Sequence, residues 1–153
     1  TLATEFGDGA AAAATLAATA GMTKPPADLT PAELIVARRA AKGLEETDVQ
    51  AWLGSGEVTC ALVAPARMAG VPPAVAVNAF EAPTADPLLF LVRSVRFGWK
   101  TLKLLLASRS GQPPTTEELQ SAFQAFQDLS VETARRVVRF TAARDRLDQA
   151  AMP

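Results

Sequence analysis

The sequence predicts an all-α protein, and three observations carry that prediction. Helix-start signatures recur along the chain: Thr30-Pro31-Ala32-Glu33, Thr47-Asp48-Val49-Gln50 and Thr115-Thr116-Glu117-Glu118. Each sets a capping side chain three residues ahead of an acid or amide. Leu119, Ala122, Phe123, Phe126 and Leu129 come after the third signature at three- and four-residue spacing, the period of one helical face. The stretch Pro87–Ser110 places Arg93, Arg96, Lys100 and Lys103 three, four and three residues apart. At helical pitch this is a narrow cationic stripe on an otherwise apolar cylinder.

Taken in order, residues 1–9 read as an irregular arm with two glycines and two acids. The alanine-rich run 10–20 has high helix propensity and predicts a short helix bracketed by Gly9 and Gly21. Pro25-Pro26 marks a linker. Thr30 caps the next helix, Pro31 suits its first position, and Gly43 stops it. Leu34, Ile35 and Ala41 are its expected inner face. A short helix through Trp52 and Leu53 is expected to end at Gly54. The apolar run 58–64 reads as helix in preference to a strand, which has no visible partner. Pro65, Gly70 and Pro72-Pro73 are expected to break the chain beyond it, leaving one or two turns over 74–80. A second linker holds Pro83 and Pro87.

The central helix is expected to span about 88–108, and the loop 108–114 turns the chain back. The second arm, about 116–149, is expected to kink or break near 129–130, where Ser130 and Glu132 offer a restart. Val131, Ala134, Val137, Val138 and Thr141 fall on one side of its second half, with Arg135, Arg139 and Arg146 on the other. Arg144 and Asp148 sit at pairing distance. The fold is thus an antiparallel C-terminal hairpin preceded by short helices and proline-rich linkers. Trp99 lies nine residues before Ser108 and Phe123 nine after Pro114. An antiparallel hairpin therefore sets Trp99 against Phe123 and Phe126, while Arg109 in the loop is expected to matter little.

The chain of 153 residues is long enough for one domain. Within it, an acidic front region 1–86 precedes the hairpin 87–153. Net charge is −1, which excludes a strong general attraction to nucleic acid or anionic lipid. Its distribution is uneven: 1–86 holds five Lys/Arg and ten Asp/Glu, whereas 87–110 holds five cations and no acid. With no histidine, Ser-His and Cys-His nucleophilic machinery and histidine metal sites are excluded. Cys60 is the single cysteine, so no internal disulfide or cysteine cluster forms; it reads as a buried structural thiol.

Candidate motifs give no chemistry. Phe97-Gly98-Trp99-Lys100-Thr101 has Trp between Gly and Lys and lacks the upstream glycine of a phosphate loop. Gly54-Ser55-Gly56 lacks the third glycine of a dinucleotide fingerprint. Glu45, Glu46 and Asp48 read as a solvated, helix-capping cluster. Residues 38–58 resemble the first two helices of a Cro/repressor-type helix-turn-helix, through Gly43-Leu44, the acidic turn, Val49, Ala51 and Leu53-Gly54. That resemblance implies a DNA-binding module at 38–64. The segment that would then read bases, 59–65, is apolar and ends in proline, where polar and basic residues are required.

The expectation is a non-enzymatic structural or accessory subunit of a larger assembly, with no cofactor and no metal. The candidate partner- or membrane-facing residues are Arg93, Arg96, Trp99, Lys100 and Lys103. The partners expected are other protein subunits; nucleic acid is disfavoured. The alternative is a membrane surface held through the basic amphipathic helix 88–108. A transmembrane span is disfavoured because Arg96 and Lys100 sit near its middle, each costing about 2.5–3.5 kcal/mol on insertion scales. Thr1 with no initiator methionine reads as a processed end or a piece of a longer product. That suggests an organelle, mitochondrion or plastid, with membrane association through partners.

Overall fold

The computed structural model describes residues 29–109 and 113–151, and all their regular structure is helical. The helix expected over 10–20 lies outside these residues. The chain divides into two compact units, one through Glu45 and one from Glu46.

The first unit contributes α1 (Pro31–Ala40). The Thr30 hydroxyl accepts the Glu33 N–H at 3.2 Å, and Pro31 occupies the first turn. Val36 is its buried residue, and the expected inner-face residues Ile35 and Ala41 are exposed. A helix this short with a weak apolar stripe does not fix its own roll.

The second unit holds α2 (Glu46–Gly54), α3 (Val58–Ala69), α4 (Pro73–Glu81), α5 (Asp86–Ser94), α6 (Trp99–Ala107), α7 (Thr116–Asp128) and α8 (Val131–Ala151). Helix α3 is buried continuously from Cys60 to Ala66, which is possible only with cover on every side; α2, α4 and α5 supply it. Pro65 lies inside α3 and does not break it. It forfeits the bond to the Ala61 carbonyl, but the surrounding helices hold the segment in place. Helix α5 is the hub. Leu88, Leu89, Leu91 and Val92 are buried, and α8 packs across α5 through Ala134, Val138 and Ala142. Small residues at four-residue spacing let the two backbones approach.

The hairpin is present between α6 and α7, and the chain breaks again at Leu129–Ser130 as expected. The Ser130 hydroxyl accepts the Thr133 N–H at 3.1 Å and restarts the helix. The Trp99 ring meets Phe123 edge-on at 5.1 Å and Phe126 at 6.2 Å, so the level-by-level pairing of the arms holds.

Two further expectations are corrected. The first arm is not one helix over 88–108: it breaks at Val95–Gly98 into α5 and α6. The break is a Schellman ending. Phe97 N–H bonds the Val92 carbonyl at 3.1 Å and Arg96 N–H bonds the Arg93 carbonyl at 3.0 Å. Arg96 takes the left-handed conformation at φ 64, and buried Phe97 packs inward. The same double bond ends α2 at Gly56 (φ 81) and α3 at Gly70 (φ 72). In those two the left-handed residue is glycine, which signals itself; at the third it is arginine, which does not. Secondly, Arg109 is not idle. Its Nη2 donates to the Ala79 carbonyl at 3.2 Å and the Thr84 carbonyl at 3.0 Å, tying the end of α4 to the end of α6. Partial burial pulls its pKa below the ordinary arginine range.

Candidate functional site

The five residues singled out from the sequence do not form one face. Arg93 turns into the hairpin: its Nε donates to the Leu129 carbonyl at 2.8 Å, and its guanidinium lies 5.2 Å from the centroid of Phe126. Trp99 is half-buried between the hairpin arms. Arg96, Lys100 and Lys103 are exposed, but the break at Val95–Gly98 divides their stripe. The apolar residues between them are core: Leu88, Leu91, Phe97, Leu102 and Leu105 are all buried.

Three arginines instead serve helix ends. Arg93 holds the carbonyl that closes α7, Arg109 one in the last turn of α4, and Arg135 the Ser94 carbonyl that closes α5, at 3.2 Å. Helix carboxyl ends carry unsatisfied carbonyls and partial negative charge, so a guanidinium there satisfies both. The acidic turn does the converse. The Glu46 carboxylate accepts the Gly98 N–H at 2.7 Å and the Thr101 hydroxyl, at the start of α6. Gln50, one turn along α2, donates to the same hydroxyl at 3.0 Å. Glu46 therefore caps a helix, as the acidic cluster suggested, but a helix 52 residues away and not its own.

Two clefts open on the second unit. One, of about 330 Å³, lies among Met68, Ser94, Val95, Arg135 and Arg139. The other, of about 340 Å³, lies between α4, α5 and α8. Its floor is Val75, Ala79, Phe90 and Val137; Asn78, Asp86, Arg144 and Asp145 stand on its rim. Among the described residues no three His, Cys, Asp or Glu side chains gather to hold a metal ion, and no helix is long and apolar enough to cross a membrane.

The outer face of α8 is the feature that sequence reasoning missed. Phe140 is 66% exposed and Leu147 is 71% exposed. At about 100° per residue they share one line, roughly opposite the packed line of Ala134, Val138 and Ala142. So α8 carries two apolar faces, one covered and one open. The signal was available: Phe140 and Leu147 are seven residues apart, two helical turns. Arg136 and Arg144 flank this line and Arg139 lies beyond Arg136. Among the described residues none of the three has a hydrogen-bond or ion-pair partner, and the expected pairing of Arg144 with Asp148 is not made. Val137 and Arg144 belong both to the rim of the second cleft and to the turns on either side of Phe140, so face and cleft are continuous.

A family model matches residues 2–139 of the chain, under the description "Uncharacterised protein conserved in bacteria (DUF2336)". No curated protein and no solved structure matches. A family conserved in bacteria overturns the expected setting in a mitochondrion or plastid, which rested on the missing initiator methionine and on a front half poor in large apolar residues. The match spans nearly the whole sequence, and the chain belongs to the DUF2336 family.

Proposed function

We propose that the protein is a non-enzymatic accessory subunit that works by binding another protein through the outer face of α8. The observation that carries this reading is the pair Phe140 and Leu147, 66% and 71% exposed on a helix whose opposite face is already packed. Two large apolar side chains held rigidly in line are the anchors a partner buries. The competing surfaces are less suited to their roles. A membrane-surface helix over 88–108 would have to release Leu88, Leu91, Leu102 and Leu105 from the core. A DNA-reading helix after the turn at Gly54–Gly56 would be α3, whose middle is buried from Cys60 to Ala66.

The test is native sizing of the full chain from bacterial extract. It should sediment well above its own 16.0 kDa, and Phe140→Glu should return it to monomer size. A wild-type chain that sediments as a monomer refutes the reading.

A further inference from the structure

We propose that the cleft where the carboxyl ends of α3 and α5 meet α8 binds a small phosphate monoester. Arg135 and Arg139 grip the phosphate, and the apolar body of the ester lies against Met68 and Val138. This site does not depend on what docks on the outer face of α8. The cleft measures about 330 Å³ and is lined by Met68, Ser94, Val95, Arg135, Val138 and Arg139. Arg135 and Arg139 stand one helical turn apart on α8, so both reach the same space. Arg135 is already positioned: its Nε donates to the Ser94 carbonyl at 3.2 Å, which leaves its two Nη groups for a ligand. Arg139 makes no hydrogen bond or ion pair among the described residues.

The charge of this cleft is one-sided. Its walls come from three stretches, 58–80, 87–110 and 133–144, that hold no Asp or Glu. No acid lies within one turn of Arg139 in either direction; Arg135, Arg136, Ala142 and Ala143 are the residues there. Acids on adjoining segments are spent elsewhere. Glu132 is not a cleft residue, makes no ion pair with Arg135, and stands four residues ahead of Arg136, the favoured order for pairing along a helix. Asp128 accepts from the Gln124 amide at 3.4 Å, and Glu46 holds the Gly98 N–H and the Thr101 hydroxyl. Two like charges one turn apart repel. A dianion between them removes that repulsion and can accept paired N–H bonds from each guanidinium.

Helix carboxyl ends oppose an anion, but each carries only about half a negative charge, and two full positive charges face them. Several carbonyls at these ends are also met. Val71 and Gly70 N–H groups bond the Ala66 and Arg67 carbonyls at 3.0 and 3.1 Å, and Arg135 takes that of Ser94. The cleft is larger than a phosphate group alone needs, and the rest of its wall is apolar. Met68 is 41% exposed there, and its flexible thioether suits a flat apolar or aromatic body. The pairing of a dianion site with an apolar wall selects an organic phosphate over the free ion.

The test is calorimetric titration of the full chain with phenyl phosphate, inorganic phosphate and phenol. Phenyl phosphate should bind saturably and more tightly than inorganic phosphate, and phenol should not bind. Arg139→Gln should weaken phenyl phosphate at least about tenfold, the factor one charge-assisted contact supplies. Lys103→Gln makes the same charge change at an exposed position on α6 outside the cleft and should leave affinity unchanged. Met68→Ser should weaken phenyl phosphate but not inorganic phosphate. Arg139 is exposed and without a bond to lose, so Arg139→Gln should fold as wild type, which circular dichroism checks. Vesicles of phosphatidic acid, which carries the same monoester at a lipid surface, separate two sources of the group. Tighter binding there than to phenyl phosphate, still lowered by Arg139→Gln, assigns a lipid headgroup; weaker binding assigns a soluble ester. No saturable binding of any phosphate overturns the proposal. So does equal weakening by Arg139→Gln and Lys103→Gln, which would mark a general response to net charge.

Discussion

Arg96→Gly should stabilise this protein. Arg96 is the one described non-glycine residue with positive φ, at 64°. An L-residue held there costs about 1–2 kcal/mol, from the crowding of its Cβ against the backbone. Glycine removes that strain but gives the unfolded chain more freedom, which returns about 0.5–1 kcal/mol. The balance favours the variant by about 0.5–1 kcal/mol. Nothing is lost at the side chain, which is exposed and makes no hydrogen bond or ion pair. For a chain of this size that corresponds to a rise of about 1–4 °C in Tm. Thermal unfolding followed by circular dichroism reads it directly. Arg96→Ala is the control, since it deletes the side chain but leaves a Cβ at the same strained φ; it should stay within about 0.5 kcal/mol of wild type. If Arg96→Gly is no more stable than Arg96→Ala, the left-handed ending of α5 does not carry the strain assigned to it.

The same contacts set other outcomes. Phe126→Ala removes a buried ring from Trp99 and Arg93 and should cost about 3–5 kcal/mol by denaturant unfolding. Arg109→Ala, which strips two carbonyls of their donor, should cost about 1–3 kcal/mol. Glu46→Ala uncaps α6 and leaves the Thr101 hydroxyl short of a partner, and should cost about 1–2 kcal/mol; an unchanged midpoint would show that the carboxylate is not needed there. Burial pushes the Cys60 thiol up, and the Glu57 carboxylate adds to the effect. A thiol with a raised pKa supports the folded state below the ordinary thiol range, and that support is lost as pH climbs through it. Alkylation of Cys60 should therefore be negligible at neutral pH and should appear with unfolding; rapid labelling of the native chain would contradict its burial.

Much of the hairpin was legible because its signals are local. Thr115 caps α7 by accepting the Glu118 N–H at 3.1 Å, as its spacing announces. The Trp99 contacts come from counting residues out from the turn. The break at Val95–Gly98 was not legible, because both flanks are apolar and the left-handed residue is an arginine. Helix α3 hid its length behind Pro65, which neighbouring helices tolerate and local rules forbid. The basic residues looked like a stripe because a straight helix was assumed. Once α5 and α6 separate, Arg93 becomes part of the hairpin, and Arg109 becomes a tie between helix ends. Whether an arginine meets solvent or a carbonyl depends on which helix end arrives beside it, and that is a tertiary matter. The open face of α8 was written in the sequence at Phe140 and Leu147. Reading it required asking which of two apolar lines the core would cover.

The most direct test of the docking role is a photo-activated crosslinker placed at Phe140 of the full chain in bacterial cells. A matched probe at Gln124, an exposed position on α7, is the comparison. A docking face on α8 predicts a discrete protein adduct from position 140 and none from position 124. Adducts to lipid alone, or equal diffuse labelling from both positions, would contradict it.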